Sequence, residues 1–226
     1  MRETTISNTV LERLAIYYRS LKRLEENKVD YISSKELGEI LGISSDQIRR
    51  DLYDFRMDIS YYHDFGVRGR GYPVSYLLKI LEKSLGLNNN VEIALIGAGS
   101  LGGALISYDE FKKIGLNIKY VFDINFNKAI RDLAGIEFYD VEQIDEILTK
   151  NQVKMAIIAV PAKAAQDVAD IIVEAGVELI LNFAPTYIEV PNNVMVRNED
   201  LSIGLIGLSY YLSNKESELT FVKNLG

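Results

Sequence analysis

Val91-Glu92-Ile93-Ala94-Leu95-Ile96-Gly97-Ala98-Gly99-Ser100-Leu101-Gly102 is an apolar run that breaks into Gly-x-Gly-x-x-Gly, with a helical pattern after it. That order reads as strand, tight turn and helix. Gly97 permits the turn, Gly99 lets a pyrophosphate approach the backbone, and Gly102 lets the helix pack on the strand. Free N–H groups and the positive dipole end at the helix start favour a phosphate. A glycine pattern alone is a weak signal. Here a second apolar segment, residues 118–122, ends at Asp123, about twenty residues on, where a dinucleotide fold places an acid for the ribose hydroxyls. A carboxylate there repels a 2′-phosphate, so NAD(H) is expected over NADP(H). The alternative is a tight turn in an α/β domain that binds nothing.

The chain has 226 residues, 48% of them hydrophobic, and a net charge of −7. That length suffices for two small domains with real cores. Cysteine is absent, which excludes a disulfide framework, a thiolate metal site and a thiol nucleophile. The single histidine, His63, cannot build a histidine metal cluster. The polar start, Arg2, Glu3, Thr4 and Thr5, lacks the apolar core of a signal peptide, and no apolar run is long enough to cross a membrane. A soluble cytoplasmic protein is expected. Overall acidity argues against a generic nucleic-acid binder, but the charge is uneven. Residues 1–86 carry 14 basic and 13 acidic residues, and residues 87–226 carry 11 and 19. The first part is the better partner for a polyanion.

Residues 9–26 read as an amphipathic helix, with Val10, Leu14, Tyr17, Leu21 and Leu24 at helical spacing. Ser33 with Glu36 three residues on makes a capping box for a helix over 34–41. Gly42 stops it, and a third helix follows over 46–55. A short helix, a turn with glycine and a second helix bearing arginines is the helix-turn-helix layout. Ile48 and Leu52 face inward. Ser44, Ser45, Gln47, Arg49 and Arg50 lie at the start or on the outer face, suited to phosphates and base edges. Spacing alone weighs this equally against an ordinary helical hairpin with a solvated face. The ribbon Gly66-Val67-Arg68-Gly69-Arg70-Gly71-Tyr72-Pro73 tips the balance, because it stands where a winged helix carries its wing. A plain basic loop is the other reading. A linking helix over 75–85 leads to a domain boundary near Leu87-Asn88-Asn89-Asn90.

Beyond it, strands are expected at 91–96, 118–122, 155–160, 179–183 and, shorter, 195–197. Helices are expected at 101–114, 125–132, 141–150 and 164–175. Such alternation argues a parallel, doubly wound sheet. A last helix over 201–214 is apolar on much of its surface. It wants a partner surface, such as another subunit, or burial in its own domain.

The chain resembles the Rex family of redox-sensing transcriptional repressors over nearly its whole length. The resemblance rests on Tyr17-Tyr18-Arg19, Ser33-Ser34-x-Glu36-Leu37, Gln47-Ile48-Arg49-Arg50-Asp51, Gly69-x-Gly71-Tyr72 and the glycine loop. Ala104-Leu105 with Tyr108, Phe122-Asp123-Ile124-Asn125, Val160-Pro161-Ala162, Ala165-Gln166, Asn182-Phe183-Ala184-Pro185, Val190-Pro191 and Asp200-Leu201 continue it in order. It implies an α/β protein in three parts. These are a winged-helix DNA-binding domain with its linking helix (1–86), a Rossmann-type NAD(H)-binding domain (87–200), and a C-terminal helix and tail (201–226) swapped between subunits.

The implied function is a repressor that binds operator DNA as a homodimer, senses the NADH/NAD+ ratio and releases DNA when NADH binds. Gly97, Ala98, Gly99, Ser100, Leu101, Gly102 and Asp123 are the expected cofactor residues. By resemblance, Ala159, Val160, Pro161, Asn182, Phe183, Ala184 and Pro185 surround the nicotinamide. Expected DNA contacts are Ser33, Ser34, Ser44, Ser45, Gln47, Arg49, Arg50, Arg68 and Arg70. Arg19, Tyr108 and Asp200 resemble the polar group that couples cofactor state to DNA binding. No metal or catalytic residue is expected.

Three departures stand out. Ser100 replaces the family's usual Asn, the Pro/Gly pattern after Phe126 is missing, and the stretch from Tyr53 to Phe65 is longer than the family's compact turn. The rival classes are a nucleotide-sensing regulator with altered or lost DNA binding and an NAD-dependent oxidoreductase. The latter needs a proton donor beside the nicotinamide. Tyr108-Asp109-Glu110-Phe111-Lys112 does spell Tyr-x-x-x-Lys, but on the first helix after the glycine loop rather than a later one.

Overall fold

The computed structural model describes residues 7–57, 70–87, 89–125 and 135–213. The chain divides into two compact units, with the division after Gly86.

The first unit is helical. α1 (Asn8–Glu26) presents Leu14, Tyr17 and Leu21 to the interior at helical spacing, and α4 (Val74–Ser84) answers with Leu77, Leu78 and Leu81. Between them lie β1 (Tyr31–Ile32), α2 (Ser34–Leu41), α3 (Ser45–Met57) and β2 (Tyr72–Pro73). The Ser33–Glu36 capping box forms as expected, and Gly42 ends α2 in the left-handed conformation at φ 68°. Ile48 and Leu52 of α3 are buried, as their spacing predicts. β1 and β2 pair antiparallel, Tyr31 opposite Pro73 and Ile32 opposite Tyr72. The two strands are too short for a periodic signal, so the sequence reading missed them.

The second unit holds a six-stranded, all-parallel sheet in the order β5-β4-β3-β6-β7-β8. The strands are β3 (Val91–Ile96), β4 (Leu116–Asp123), β5 (Glu137–Asp140), β6 (Met155–Ile158), β7 (Leu179–Asn182) and β8 (Met195–Asn198). The central strands are apolar on both sides because both faces are covered. Ala94, Ile96, Phe122 and Ile158 face one core, and Ile93, Leu95, Val121 and Ile157 face the other. Helices α5 (Ser100–Ile106), α6 (Glu110–Lys113), α7 (Ile144–Asn151) and α8 (Ala162–Glu174) connect the strands. The strand order reverses between β3 and β6, which puts the topological switch point there.

Several boundaries differ from the sequence expectation. The helix expected over 101–114 is two helices, broken at Ser107–Asp109. The Ser107 hydroxyl joins its own N–H on the Gly103 carbonyl, at 3.1 and 3.3 Å, and the next N–H, of Tyr108, turns to Leu105 O at 3.1 Å, the tighter spacing of a helix end. Strand β5 was not anticipated. It is four residues long, lies at the sheet edge, and carries no clean alternation. α7 is preceded by a 3-10 turn at Val141–Gln143, capped by Asp140. Beyond Asn125, the helix expected over 125–132 lies outside the described residues.

α9 (Leu201–Ser213) shows its apolar side chains to solvent all round; Leu205 is 70% and Ile206 65% exposed. Burial in its own unit, one of the two readings of this helix, does not occur.

Gly38, inside α2, sits where the chain turns back toward α3. A Cβ there would lie 2.4 Å from the Ile43 carbonyl oxygen. Gly38→Ala should therefore lower the stability of this unit by about 1–3 kcal/mol. Thermal unfolding measures this, and an unchanged midpoint would refute the packing argument.

Candidate functional site

At the switch point the loops leaving β3 and β6 touch backbone to backbone. Gly97 has φ 98°, and a Cβ on it would lie 2.5 Å from the Ala159 carbonyl oxygen. Its N–H donates to Phe122 O at 2.8 Å, and the Ala159 N–H donates to Ile96 O at 2.8 Å. Gly102 is as constrained, since its Cβ would fall 1.9 Å from Gly97 O. Gly99 is the opposite case. A Cβ there meets nothing within 4 Å, so no protein atom requires glycine. The open space at its backbone is the kind that a pyrophosphate occupies in this fold. Ser100 is exposed at the first position of α5, while Ala98 and Leu101 are half-buried.

Asp123, at the end of β4, reaches back to this loop. Its Oδ2 accepts from the Ala98 N–H at 2.6 Å and its Oδ1 from the Asn125 N–H at 2.7 Å. A carboxylate has about four acceptor sites, so both oxygens keep capacity for ribose hydroxyls. The same side chain thus shapes the glycine loop and stands ready for a ligand.

Two further loops leave the same sheet edge. After β6, Val160 packs on one core face, and exposed Pro161 precedes α8. After β7, the Phe183 N–H donates to Ile158 O at 2.9 Å. Phe183 is half-buried, Ala184 buried and Pro185 exposed. Asn182 is fully buried. Its Nδ2 donates to Thr186 O and Asn198 Oδ1, both at 2.8 Å, and its Oδ1 accepts from the Ala184 N–H at 3.0 Å. Its role is to hold the 183–186 turn from within.

Among the described residues, no cluster of His, Cys, Asp or Glu could hold a metal. Tyr108 is half-exposed in the turn between α5 and α6, edge-on to Phe111 at 5.0 Å. Lys112 lies on α6, so the helix break separates the two members of the Tyr-x-x-x-Lys match.

In the helical unit, Arg49 and Arg50 are exposed on α3. Arg49 Nη1 donates to Ser34 Oγ at 3.0 Å, and its other end pairs with Asp46. Arg50 Nη2 donates to Gln47 Oε1 at 3.0 Å. Ser33 and Ser44 serve as caps, their hydroxyls accepting from the N–H groups of Glu36 and Gln47. Ser45 is half-buried. Arg70, just before β2, lies 5.5 Å from the Tyr31 ring centre in cation–π contact. It lines a groove with Ser33, Lys35, Glu36, Glu39 and Gly71. Arg68 lies outside the described residues. Of the three coupling candidates, Arg19 is exposed on α1, while Tyr108 and Asp200 belong to the sheet unit. Asp200 Oδ1 accepts from the Ser202 N–H at 2.8 Å. Ser202's hydroxyl and amide hold that carboxyl below its ordinary range.

One feature escaped the sequence reading. Asp51, on the inner face of α3, is buried. Arg13 Nε and Nη2 donate to it at 2.6 and 2.7 Å, Tyr17 Oη at 2.6 Å and Gln47 Nε2 at 2.7 Å. The signal was present. Asp51 falls three residues after Ile48, beside Leu52, and an acid on an apolar face needs a cation. Burial alone would raise the Asp51 carboxyl. Hydrogen bonds from Arg13, Tyr17 and Gln47 outweigh it and hold the group below the usual carboxylate range. Burial and the neighbouring carboxylate push the Tyr17 phenol up.

A family model described as "CoA binding domain" matches residues 88–186. Another, "Putative DNA-binding protein N-terminus", matches residues 5–52. The redox-sensing transcriptional repressor Rex of Desulforamulus reducens is 41% identical, over 96% of this chain and 100% of its own length. That of Clostridium beijerinckii is 40% identical, over 96% and 99%. Among solved structures, RSP in complex with β-NAD+ and operator DNA is similar at a TM-score of 0.83, with 39% identity and 95% of each chain covered. RSP in complex with β-NADH is similar at 0.79, with 37% identity and 95% and 97% covered.

The folded-state pKa of Asp51 lies below its unfolded value, so its contribution to stability is complete above about pH 4 and is lost as pH falls through the folded value. Acid should therefore loosen the helical unit. At neutral pH, Asp51→Ala should cost about 1–3 kcal/mol by leaving the buried Tyr17 hydroxyl and half-buried Arg13 without their acceptor. Denaturant unfolding across pH values tests both, and a pH-independent cost would contradict the ionised assignment.

Proposed function

The chain belongs to the Rex family of redox-sensing transcriptional repressors, and from that premise we propose that it represses transcription by binding operator DNA as a homodimer and releases it when NADH binds. The carrying observation is the switch-point crevice, with an open approach to Gly99 and a carboxylate at Asp123, on the same chain as an arginine-bearing helix-turn-helix. In this reading, residues up to Gly86 bind DNA, residues 87–200 bind NADH or NAD+, and residues 201–226 supply a dimerisation helix and tail. The apolar surface of α9 supports a second subunit as its cover. A duplex as partner places the protein in the cytoplasm.

Nucleotide choice follows from charge. Asp123 accepts ribose hydroxyls and repels a phosphate on either ribose oxygen, which disfavours NADP(H) and coenzyme A alike. Gly97, Ala98, Gly99, Ser100, Leu101 and Gly102 surround the pyrophosphate. Ala159, Val160, Pro161, Phe183, Ala184 and Pro185 carry no charge and serve the nicotinamide, with Asn182 shaping their loop. A reduced nicotinamide is neutral and an oxidised one cationic, and apolar surroundings favour the neutral ring. NADH shifts the dimer only by binding its DNA-released arrangement better than NAD+ does. Arg19, Tyr108 and Asp200 carry the change between units. Ser33, Ser34, Ser44, Ser45, Gln47, Arg49, Arg50, Arg68 and Arg70 meet DNA. The protein is read as a regulator and not an enzyme: the Tyr108 and Lys112 of the Tyr-x-x-x-Lys match do not share a helix, and the relatives it matches are repressors.

Titration of NADH and of NAD+ into a preformed protein–DNA complex tests this function. NADH should release the duplex at concentrations where NAD+ leaves it bound, and equal effects would refute redox sensing. Asp123→Ala should weaken both nucleotides about tenfold. Arg49→Ala should weaken DNA binding and leave nucleotide affinity unchanged.

A further inference from the structure

The four hydrogen bonds to Asp51 do not all point the same way. Arg13 and Tyr17 reach it from α1, inside the unit. Gln47, half-buried, reaches it from α3 itself, one turn toward the helix start. A carboxylate in an arginine fork is ionised and accepts only. The Gln47 amide must therefore turn its NH2 inward and its carbonyl outward. That carbonyl accepts from Arg50 Nη2 at 3.0 Å. A solvated glutamine presents either end, because its two ends are alike in shape. Here a buried charge selects one.

We propose that Asp51 is a positioning residue for operator recognition, fixing the amide of Gln47 and, through it, the guanidinium of Arg50. The inference rests on the DNA-binding reading above. Arg49 stands apart from this chain of contacts, tied instead to Ser34 and Asp46. The two arginines are thus held by different means. Arg49 is held from α2 through Ser34, whereas Arg50 is aimed through Gln47 by a relay that begins on α1. Directional hydrogen bonding to base edges needs such aim, whereas phosphate attraction does not.

The test uses the full-length chain and a duplex that the wild type enriches from a randomised pool, with a shuffled duplex of equal composition as reference. Fluorescence anisotropy gives the ratio of the two affinities. Asp51→Asn keeps the shape but lets the position donate as well as accept. It should lower the ratio about tenfold and leave the salt dependence of binding unchanged. Gln47→Ala should cause a similar loss, and Asp51→Asn should add nothing to it. If thermal unfolding finds Asp51→Asn unfolded, Arg13→Lys takes its place, with a smaller loss that also vanishes beside Gln47→Ala. An unchanged ratio, equal weakening of both duplexes, or full additivity with Gln47→Ala would overturn the proposal. A wild type that enriches no duplex would instead overturn the DNA-binding reading.

Discussion

Backbone meets backbone where Gly97 passes Ala159, and the sheet unit is arranged around that contact. With 2.5 Å between a would-be Cβ and a carbonyl oxygen, no side chain fits. The close passage joins the loops of β3 and β6 at the point where the strand order reverses. Gly102 closes α5 onto the same turn, and Asp123 binds its next amide from β4. The crevice is therefore shaped by groups already committed to one another. What remains open is the approach to Gly99, where a Cβ would meet nothing within 4 Å.

The helical unit solves a different problem. In the proposed function α3 has to stay in one orientation while its outer face remains polar and solvated. Apolar packing of Ile48 and Leu52 sets the face but leaves rotation and slide soft. The buried Asp51 supplies direction, since its bonds to Arg13 and Tyr17 tolerate little displacement. An ion pair of this kind adds little net stability over apolar packing, but breaking it from one side is costly. The sheet unit uses close backbone contact for the purpose that this unit serves with charge.

Much of this was legible in the residues. The glycine loop, Asp123 and the long amphipathic helices have strong local signatures, and their bounds matched to within a few residues. Short elements did not. β1 and β2 have two residues each and β5 four, too few for a period to declare itself, and their pairing is decided by distant partners. At the break, the Ser107 hydroxyl shares the Gly103 carbonyl with its own N–H, a contact that no period reports. The side chain of Asn182 bonds within its own loop, an arrangement that depends on Thr186 and Asn198 arriving from elsewhere. The Asp51 network joins residues 38 and 34 positions apart, which no local window reports.

The proposed function requires that the oxidation level of the bound nucleotide set how the two DNA-binding units of a dimer stand relative to each other. The chain has no cysteine, so a single Lys79→Cys substitution on the exposed side of α4 places one spin label on each subunit. Pulsed dipolar spectroscopy then reads the distance between labels with saturating NADH and with saturating NAD+. Two distinct distance distributions are predicted, and one distribution common to both nucleotides would contradict the account.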